Sequence, residues 1–287
     1  MRIRQNHPIA DRIKLICILL VVLWILWFIA DVILNDAKVE KTSTIEYMLQ
    51  QALEPVGTTM YIWGGGWDDE DSKSGAGSTK IGCSSQWKKF TDQQDATYDF
   101  EEHRFERENG LDCSGYVGWV IYNTFETESN QPGYVTTSTE LAESLANRGW
   151  GVLIKNPRVF LPGDVVSMDG HVWLCLGTCK DGSVLLVHSS PPGVSLCGTP
   201  ACVENGDTKE QESIAVQLAT EYMATYHPEW QEKYPNRNVP DTYLESVSVF
   251  RWNKRIMSDA EEVQALSAEE IFCNILKNSE RGLREFP

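Results

Sequence analysis

Two Asp-Gly pairs divide a long apolar part of the chain into short runs. The pairs are Asp169-Gly170 and Asp181-Gly182, and the runs around them are residues 165–168, 171–177 and 183–190. Asp-Gly between alternating apolar runs is a strong signal for a tight hairpin turn, because these residues tolerate the positive φ angles that such turns need. The sequence therefore predicts a meander of antiparallel strands, with a closing strand at residues 247–252.

Helical spacing of apolar residues occurs on both sides of this meander. It predicts helices at residues 42–53, 111–125, 136–147 and 206–226. Asp112 is a suitable N-cap for the second of them. The capping-box patterns Ser258/Glu261 and Ser267/Glu270 predict one or two terminal helices. The predicted fold class is therefore α+β, with one domain at residues 45–252 and a C-terminal helical tail at residues 253–287.

The N-terminal apolar run, residues 15–34, carries a single charge, Asp31. About 20 apolar residues are enough for a helix to cross a bilayer. Residues 1–14 are mainly basic, so the positive-inside rule predicts a cytoplasmic stub, a transmembrane helix at 15–34 and a linker at 35–44. The alternative is a cleaved signal peptide, but no clear Ala-x-Ala site follows the run. We therefore predict a single-pass protein of the cell membrane whose main domain is extracellular.

The charge balance argues against a nucleic-acid partner. The 287 residues include 25 Lys and Arg against 41 Asp and Glu, for a formal net charge of −16. No sizeable basic cluster exists beyond the first 14 residues, and a polyanion would be repelled by the remainder.

Eight cysteines occur, and Cys17 lies inside the N-terminal apolar run. In an oxidising compartment the other seven allow up to three disulfides and leave one free thiol. Reduced, buried cysteines are the alternative. The pairs Cys175/Cys179 and Cys197/Cys202 lack both the usual zinc-ligand spacing and a neighbouring histidine, so we expect no metal site.

Three residues stand out as candidates for catalysis. Cys113 follows the predicted N-cap, where the N–H groups of the first helical turn favour a thiolate. His171 and His188 lie on faces that coincide if their two strands pair as a hairpin. A thiol nucleophile needs a base to accept its proton and a third group to orient that base. The pattern predicts Cys113 as nucleophile, His171 as base and His188 as the orienting residue. Gly115 would leave room for a substrate backbone.

Several short motifs, in this order, resemble those of the NlpC-type cysteine peptidases of bacterial cell walls, a papain-like family. They are Tyr-Ile-Trp-Gly-Gly at 61–65, Asp-Cys-Ser-Gly-Tyr-Val at 112–117, Leu-Pro-Gly-Asp-Val at 161–165, His-Val at 171–172 and Val-His-Ser at 187–189. The resemblance covers about residues 45–252. It implies a papain-like fold in which a nucleophile at a helix N-terminus packs on a central antiparallel sheet.

The resemblance also implies roles for individual residues. Cys113 would be the nucleophile, His171 the general base, His188 the orienting residue, and Tyr61 a hydroxyl near the oxyanion or the thiol. The substrate cleft would include Trp63, Asp112, Ser114 and Gly115. The implied activity is hydrolysis of peptide or isopeptide bonds in peptidoglycan stem peptides, commonly between D-glutamate and the diamino acid, without a cofactor.

Two segments depart from the compact family pattern. Residues 67–109 and residues 199–243 are predicted insertions that flank the cleft and affect which bond is cut. The first is polar, lacks a sustained apolar period and is expected to be a surface excursion. Its acidic run at residues 68–71 lacks the spacing of a calcium loop and is expected to be solvated.

Three alternatives stay open at this point. A related enzyme would be an amidase that cuts between sugar and stem peptide. A protein of a different class would be a catalytically silent wall-binding or scaffolding module of a secretion or conjugation apparatus in the cell envelope. A disulfide at Cys113 would also silence the enzyme.

Overall fold

A computed structural model describes residues 43–201 and 212–276 of the chain. The predicted transmembrane helix at 15–34, the stub before it and most of the linker lie outside these residues. Within the described part, no helix is both long and apolar enough to cross a membrane.

One eight-stranded sheet, with helices packed against it, forms the framework, so the α+β class is confirmed. The strands are β1 Met60–Tyr61, β2 Gly110–Leu111, β3 Gly151–Lys155, β4 Val165–Met168, β5 His171–Thr178, β6 Val184–Ser190, β7 Gly193–Gly198 and β8 Ser248–Trp252. Their order in the sheet is β2-β1-β7-β6-β5-β4-β8-β3. Only β1 and β2 are parallel; the other paired strands are antiparallel.

The predicted meander is confirmed as β4, β5 and β6, and the closing strand as β8. The register pairs Leu174 with Val187 and Met168 with His171. Strands β1, β2, β3 and β7 are not predicted from the sequence, because they show no clear alternation of apolar and polar residues. Strands β1 and β2 have only two residues each, and β7 is buried on both faces, which removes the polar positions that reveal a strand. Strand β3 is partly exposed along its length and has no alternating apolar pattern.

Seven α-helices are described. They are α1 Ile45–Leu53, α2 Ser85–Thr91, α3 Cys113–Phe125, α4 Leu141–Asn147, α5 Ile214–Tyr226, α6 Pro228–Lys233 and α7 Ala268–Ile271. The helices predicted at 42–53 and 111–125 are confirmed, with Thr44 and Asp112 as side-chain N-caps. The helix predicted at 136–147 begins only at Leu141.

Two other helix predictions need correction. Helix α5 begins at Ile214 rather than at residue 206, and residues 202–211 lie outside the described part. Its fully buried face is formed by Ala215, Ala219, Tyr222 and Met223. The Ser267/Glu270 capping box is formed at α7, but no helix begins at Ser258. Ser258 instead forms a parallel bridge with Thr44.

Each face of the sheet has its own core. Helices α1 and α3 cover one face, where Val117 and Val120 pack with Leu174 and Val187. The opposite face carries Trp173, Cys175 and Leu186, together with Phe160 and the residues around Val239. These alternating residues lie on opposite faces because successive side chains of a strand point to opposite sides.

The predicted surface excursion at residues 67–109 is wrong as a description of this segment. Helix α2 lies within it and buries Trp87 and Phe90 in the main core. The Trp87 ring meets Trp119 of α3 edge to face, with centroids 6.0 Å apart. The apolar residues of this segment are too few to show a helical or strand period. Two aromatic residues nevertheless pack in the core.

A buried ion pair fixes the start of β4. Asp164 is fully buried and accepts hydrogen bonds from Arg251 Nε at 2.9 Å and Arg251 Nη2 at 2.6 Å. Replacing Arg251 with alanine leaves the buried Asp164 carboxylate with the Leu161 N–H but without a positive partner, which we expect to lower the free energy of unfolding by about 3 kcal/mol. Urea unfolding measures this change.

The variant Arg251→Lys provides the matched comparison for this prediction. It keeps the positive charge but loses the two-point contact, so its unfolding midpoint should lie between those of the wild type and Arg251→Ala. Identical midpoints for all three proteins would mean that the pair does not stabilise the fold.

Candidate active site

Cys113 is the first residue of helix α3, and its neighbours hold the helix start rigidly. Asp112 Oδ1 accepts hydrogen bonds from the Gly115 N–H at 2.7 Å and the Ser114 hydroxyl at 2.9 Å. Trp67 Nε1 donates to the Ser114 hydroxyl at 3.0 Å. Burial raises the pKa of Asp112 to about 6. The predicted N-cap is therefore confirmed, and it anchors a chain of polar contacts beside the thiol.

Gly115 admits a neighbouring stretch of backbone, but this stretch belongs to the protein itself. A Cβ atom at Gly115 would lie 2.0 Å from the Gly65 carbonyl oxygen and 3.0 Å from Gly66 Cα. The Asp112 N–H also donates to the Gly65 carbonyl, at 3.0 Å. The expectation that Gly115 makes room for substrate is therefore corrected: it lets the 61–65 motif pack directly on the start of α3.

The Cys113 thiol is buried, with 7% of the residue exposed, and it faces backbone N–H groups. Burial raises its pKa to about 12, and the Asp112 carboxylate acts in the same direction. The backbone N–H groups of Val172, Ser114 and Cys113 lower the pKa but do not outweigh burial. The N–H groups at the helix start therefore lower the pKa of Cys113 as expected. Burial has the larger effect, so the resting group is a thiol and not a thiolate.

His171 and His188 lie together, as the hairpin parity predicts. His171 Nε2 is 3.0 Å from His188 Nδ1, and the two rings meet edge to face. His171 opens β5 immediately before Val172, whose N–H faces the Cys113 sulfur. The contact with His188 occupies Nε2 of His171, which leaves Nδ1 as the nitrogen that can accept the thiol proton.

Both imidazoles are uncharged at neutral pH. Burial lowers the pKa of His171 to about 4. Burial also lowers the pKa of His188, with the charges of His171 and Arg237 acting in the same direction. The resting site therefore combines a neutral thiol with two neutral imidazoles.

Tyr243 is a site residue that the sequence analysis missed. Its ring lies over both imidazoles, with centroid distances of 5.4 Å to His171 and 5.8 Å to His188. Its hydroxyl is 3.5 Å from His188 Nδ1. The residue belongs to the predicted insertion at 199–243 and follows no motif, so no local signal connected it to the histidines.

A cleft of about 340 Å³ opens over the thiol. Its lining includes all the predicted cleft residues except Gly115, and it adds Trp67, Asp71, Thr137 and Ser138. Tyr61 lines the cleft together with Cys113 and Asp112. Burial raises the pKa of Tyr61, and the charges of Cys113 and Asp112 act in the same direction. Gly170, the residue before His171, also lines the cleft.

The insertion at residues 67–109 contributes Trp67 and Asp71 to the cleft wall, and its Arg104 packs on Trp63 beside them. Trp63 is 46% exposed in the cleft, and the Arg104 guanidinium lies 4.9 Å from its ring centroid. The acidic run at 68–71 is tied down as well, since Asp69 and Asp71 both pair with Arg107. The run is nevertheless exposed to solvent, as expected, because the Asp69 side chain is fully exposed and that of Asp71 about half exposed.

The six cysteines of the described residues are all free thiols, so Cys113 is not held in a disulfide among them. The disulfides expected in an oxidising compartment are not formed between these six. Cys17 and Cys202 lie outside the described residues. Over the same described ranges, no group of three or more His, Cys, Asp or Glu side chains could hold a metal ion.

No family model, curated protein or solved structure matches this chain. The resemblance to the NlpC-type peptidases therefore rests on the short motifs and on the site residues that lie close together here.

The neutral state of the thiol leads to a direct prediction about its reactivity. Because its pKa lies far above neutral, the thiolate fraction of Cys113 should rise about tenfold for each pH unit between pH 6 and 8. The rate of its alkylation by iodoacetamide should rise in the same proportion. Peptide mass spectrometry separates this reaction from that of the exposed Cys273.

Asp112→Asn is the matched variant for this prediction. Asparagine keeps the N-cap but removes the neighbouring negative charge, so alkylation of Cys113 should become faster. A wild-type rate that stays constant from pH 6 to 8 would show a preformed thiolate–imidazolium pair and would contradict the neutral resting state.

Proposed function

We propose that this protein is a membrane-anchored extracellular cysteine peptidase that hydrolyses peptide or isopeptide bonds in peptidoglycan stem peptides. The bond between D-glutamate and the diamino acid is the expected target. The observation that carries the proposal is the juxtaposition of the Cys113 thiol, at a helix start in an open cleft, with a strand that begins with a paired imidazole. The papain-like arrangement and the membrane helix at residues 15–34 are parts of the same proposal.

The chemistry follows from the protonation states. Cys113 Sγ attacks the substrate carbonyl carbon while its proton passes to His171 Nδ1, so thiol and base react without a preformed ion pair. The resulting imidazolium is stabilised through its Nε2–H, which donates to His188. It then returns the proton to the leaving amine, and a thioester to Cys113 remains. Water, deprotonated by His171, hydrolyses that thioester.

The negative charge that develops on the carbonyl oxygen needs donors already in place. The backbone N–H groups at the start of α3 face the sulfur, and the Tyr61 ring lies on the same side of the cleft. These groups are the proposed oxyanion donors. They act best in a site that excludes water, which agrees with the burial of Cys113.

The residues around the thiol bear on which part of the cell wall could enter the cleft. Its walls are the aromatic side chains of Tyr61, Trp63 and Trp67, and its floor is the thiol. Arg104 lies above Trp63 and pairs with Glu101 at 3.1 Å, and its remaining donors suit a carboxylate of an anionic stem peptide. The amidase alternative would require the sugar to enter the same cleft.

The test is mass spectrometry of soluble fragments released from purified peptidoglycan by the full-length protein. Cys113→Ala should release none, whereas Cys83→Ala, which removes an exposed thiol elsewhere, should release the wild-type set. The fragment masses identify the bond and separate the peptidase from the amidase. Wall binding without any release by the wild type would refute the proposal and favour a silent binding module.

A further inference from the structure

The proton of the hydrogen bond between His171 and His188 can lie on either of the two facing nitrogens. Only one of these two arrangements permits catalysis. If His171 Nε2 carries the proton and donates to His188 Nδ1, then His171 Nδ1 is free to accept the thiol proton. If His188 Nδ1 carries it and donates instead, the neutral His171 ring must be protonated at Nδ1. In that second arrangement the nitrogen that should act as base is already occupied.

The two rings alone do not decide between these arrangements. The 3.0 Å separation of the nitrogens suits a donor on either side. The pair is buried and neutral, so each ring carries one proton in both cases. The Arg237 charge opposes protonation of His188 but adds no proton to either position. A third polar group is needed to select one arrangement.

Tyr243 is the group in the right place. Its hydroxyl lies 3.5 Å from His188 Nδ1, the same nitrogen that faces His171. The Ser190 side chain hydrogen-bonds to the Tyr243 hydroxyl from the end of β6. If Ser190 donates to the tyrosine oxygen, the tyrosine O–H is directed to the imidazole.

We infer that Tyr243 is a positioning residue that donates its hydroxyl proton toward His188 Nδ1, and thereby holds that nitrogen as an acceptor and His171 as a base. Two donors then meet at His188 Nδ1: the Tyr243 hydroxyl and His171 Nε2–H. Ser190 in turn donates to the Tyr243 oxygen. His188 carries its own proton on Nε2. The consequence for turnover rests on the proposed hydrolase, but the proton positions do not.

The packing of Tyr243 provides a way to isolate its hydroxyl. The ring stacks on Trp173, with centroids 6.4 Å apart, and covers both imidazoles. Tyr243→Phe keeps these ring contacts and removes only the proton donor. A residue with a merely structural role would tolerate this change without altering the histidine tautomers.

The test is NMR spectroscopy of the full-length protein labelled with 15N-histidine, in detergent micelles. The chain has five histidines, so the long-range nitrogen–proton spectrum holds five ring patterns. His171→Gln and His188→Gln assign the two that matter. In the wild type, we expect both rings to be protonated at Nε2 and unprotonated at Nδ1.

Tyr243→Phe should move part of the population to the second arrangement, which appears as protonation of Nδ1 on both rings. Ser190→Ala, which removes the group that orients the tyrosine, should cause a smaller shift in the same direction. The control is Tyr134→Phe, since that hydroxyl donates to Glu126 at 2.7 Å, and it should change neither ring. On peptidoglycan fragments, Tyr243→Phe should lower kcat about tenfold and leave KM unchanged, the effect of losing one hydrogen bond.

Two results would overturn the inference. One is a wild-type spectrum in which His188 Nδ1 carries the proton. The other is a spectrum that neither Tyr243→Phe nor Ser190→Ala alters. Because the spectra need no substrate, they remain decisive if the hydrolase proposal fails, and the two failures can be told apart.

Discussion

We expect the replacement of His171 with alanine to lower kcat/KM for the proposed stem-peptide hydrolysis by about 10³- to 10⁴-fold, because the thiol would then have no base to accept its proton. The buried Cys113 thiol has a pKa of about 12, so it cannot ionise by itself at neutral pH. His171 is only partly buried, and alanine keeps the backbone pairing with Met168, so the fold should persist. Rates on purified muropeptides, with circular dichroism of each variant, measure this effect.

Two further histidine variants show whether the loss is specific. His103→Asn removes a partly buried imidazole that stacks on Tyr98 outside the cleft lining, so it should change kcat/KM by no more than about threefold. His188→Ala leaves the base in place but removes its partner, so its loss should be smaller than that of His171→Ala. Equal activities for the wild type and His171→Ala would exclude His171 as the base.

Replacing Gly115 with alanine lowers the free energy of unfolding by about 3 kcal/mol or more, because the added methyl group meets backbone that cannot move aside. Its Cβ would lie 2.0 Å from the Gly65 carbonyl oxygen. The same carbonyl accepts the Asp112 N–H, so any shift also disturbs the residue before the nucleophile. Thermal and urea unfolding should show a large fall in stability, together with loss of hydrolysis.

Gly77→Ala is the matched control. A Cβ at this position would find its nearest atoms at 3.7 Å, which is ordinary contact distance, so stability should change by less than about 1 kcal/mol. If Gly115→Ala were equally mild, the close approach of the two motifs would not be needed for the fold.

The sequence predicted the central hairpin and the start of α3 because both have local causes. Asp-Gly turns fix the hairpin, and strand parity then brings His171 and His188 to one face without knowledge of the register. The cap at Asp112 is likewise decided by its own side chain and the next three residues. These features need no information about distant parts of the chain.

The rest depends on contacts between segments that are far apart in sequence. Tyr243 meets His188 across 55 positions in the sequence. Trp87 meets Trp119 although several short elements separate their helices and no pattern links them. The pKa of Cys113 was misjudged for a similar reason. The helix start was visible in the sequence, but the burial that outweighs it arises only when the sheet and α2 segment are in place.

The segment that holds Trp87 and Phe90 also limits how the chain can be shortened. Polar loops on a surface usually tolerate changes in length, because closing a longer loop costs little. Here, removal of residues 67–109 would take two aromatic rings out of the core and leave Trp119 beside a void. A minimal version of this protein therefore cannot be made by trimming that segment, although in sequence it looks like the most dispensable part of the domain.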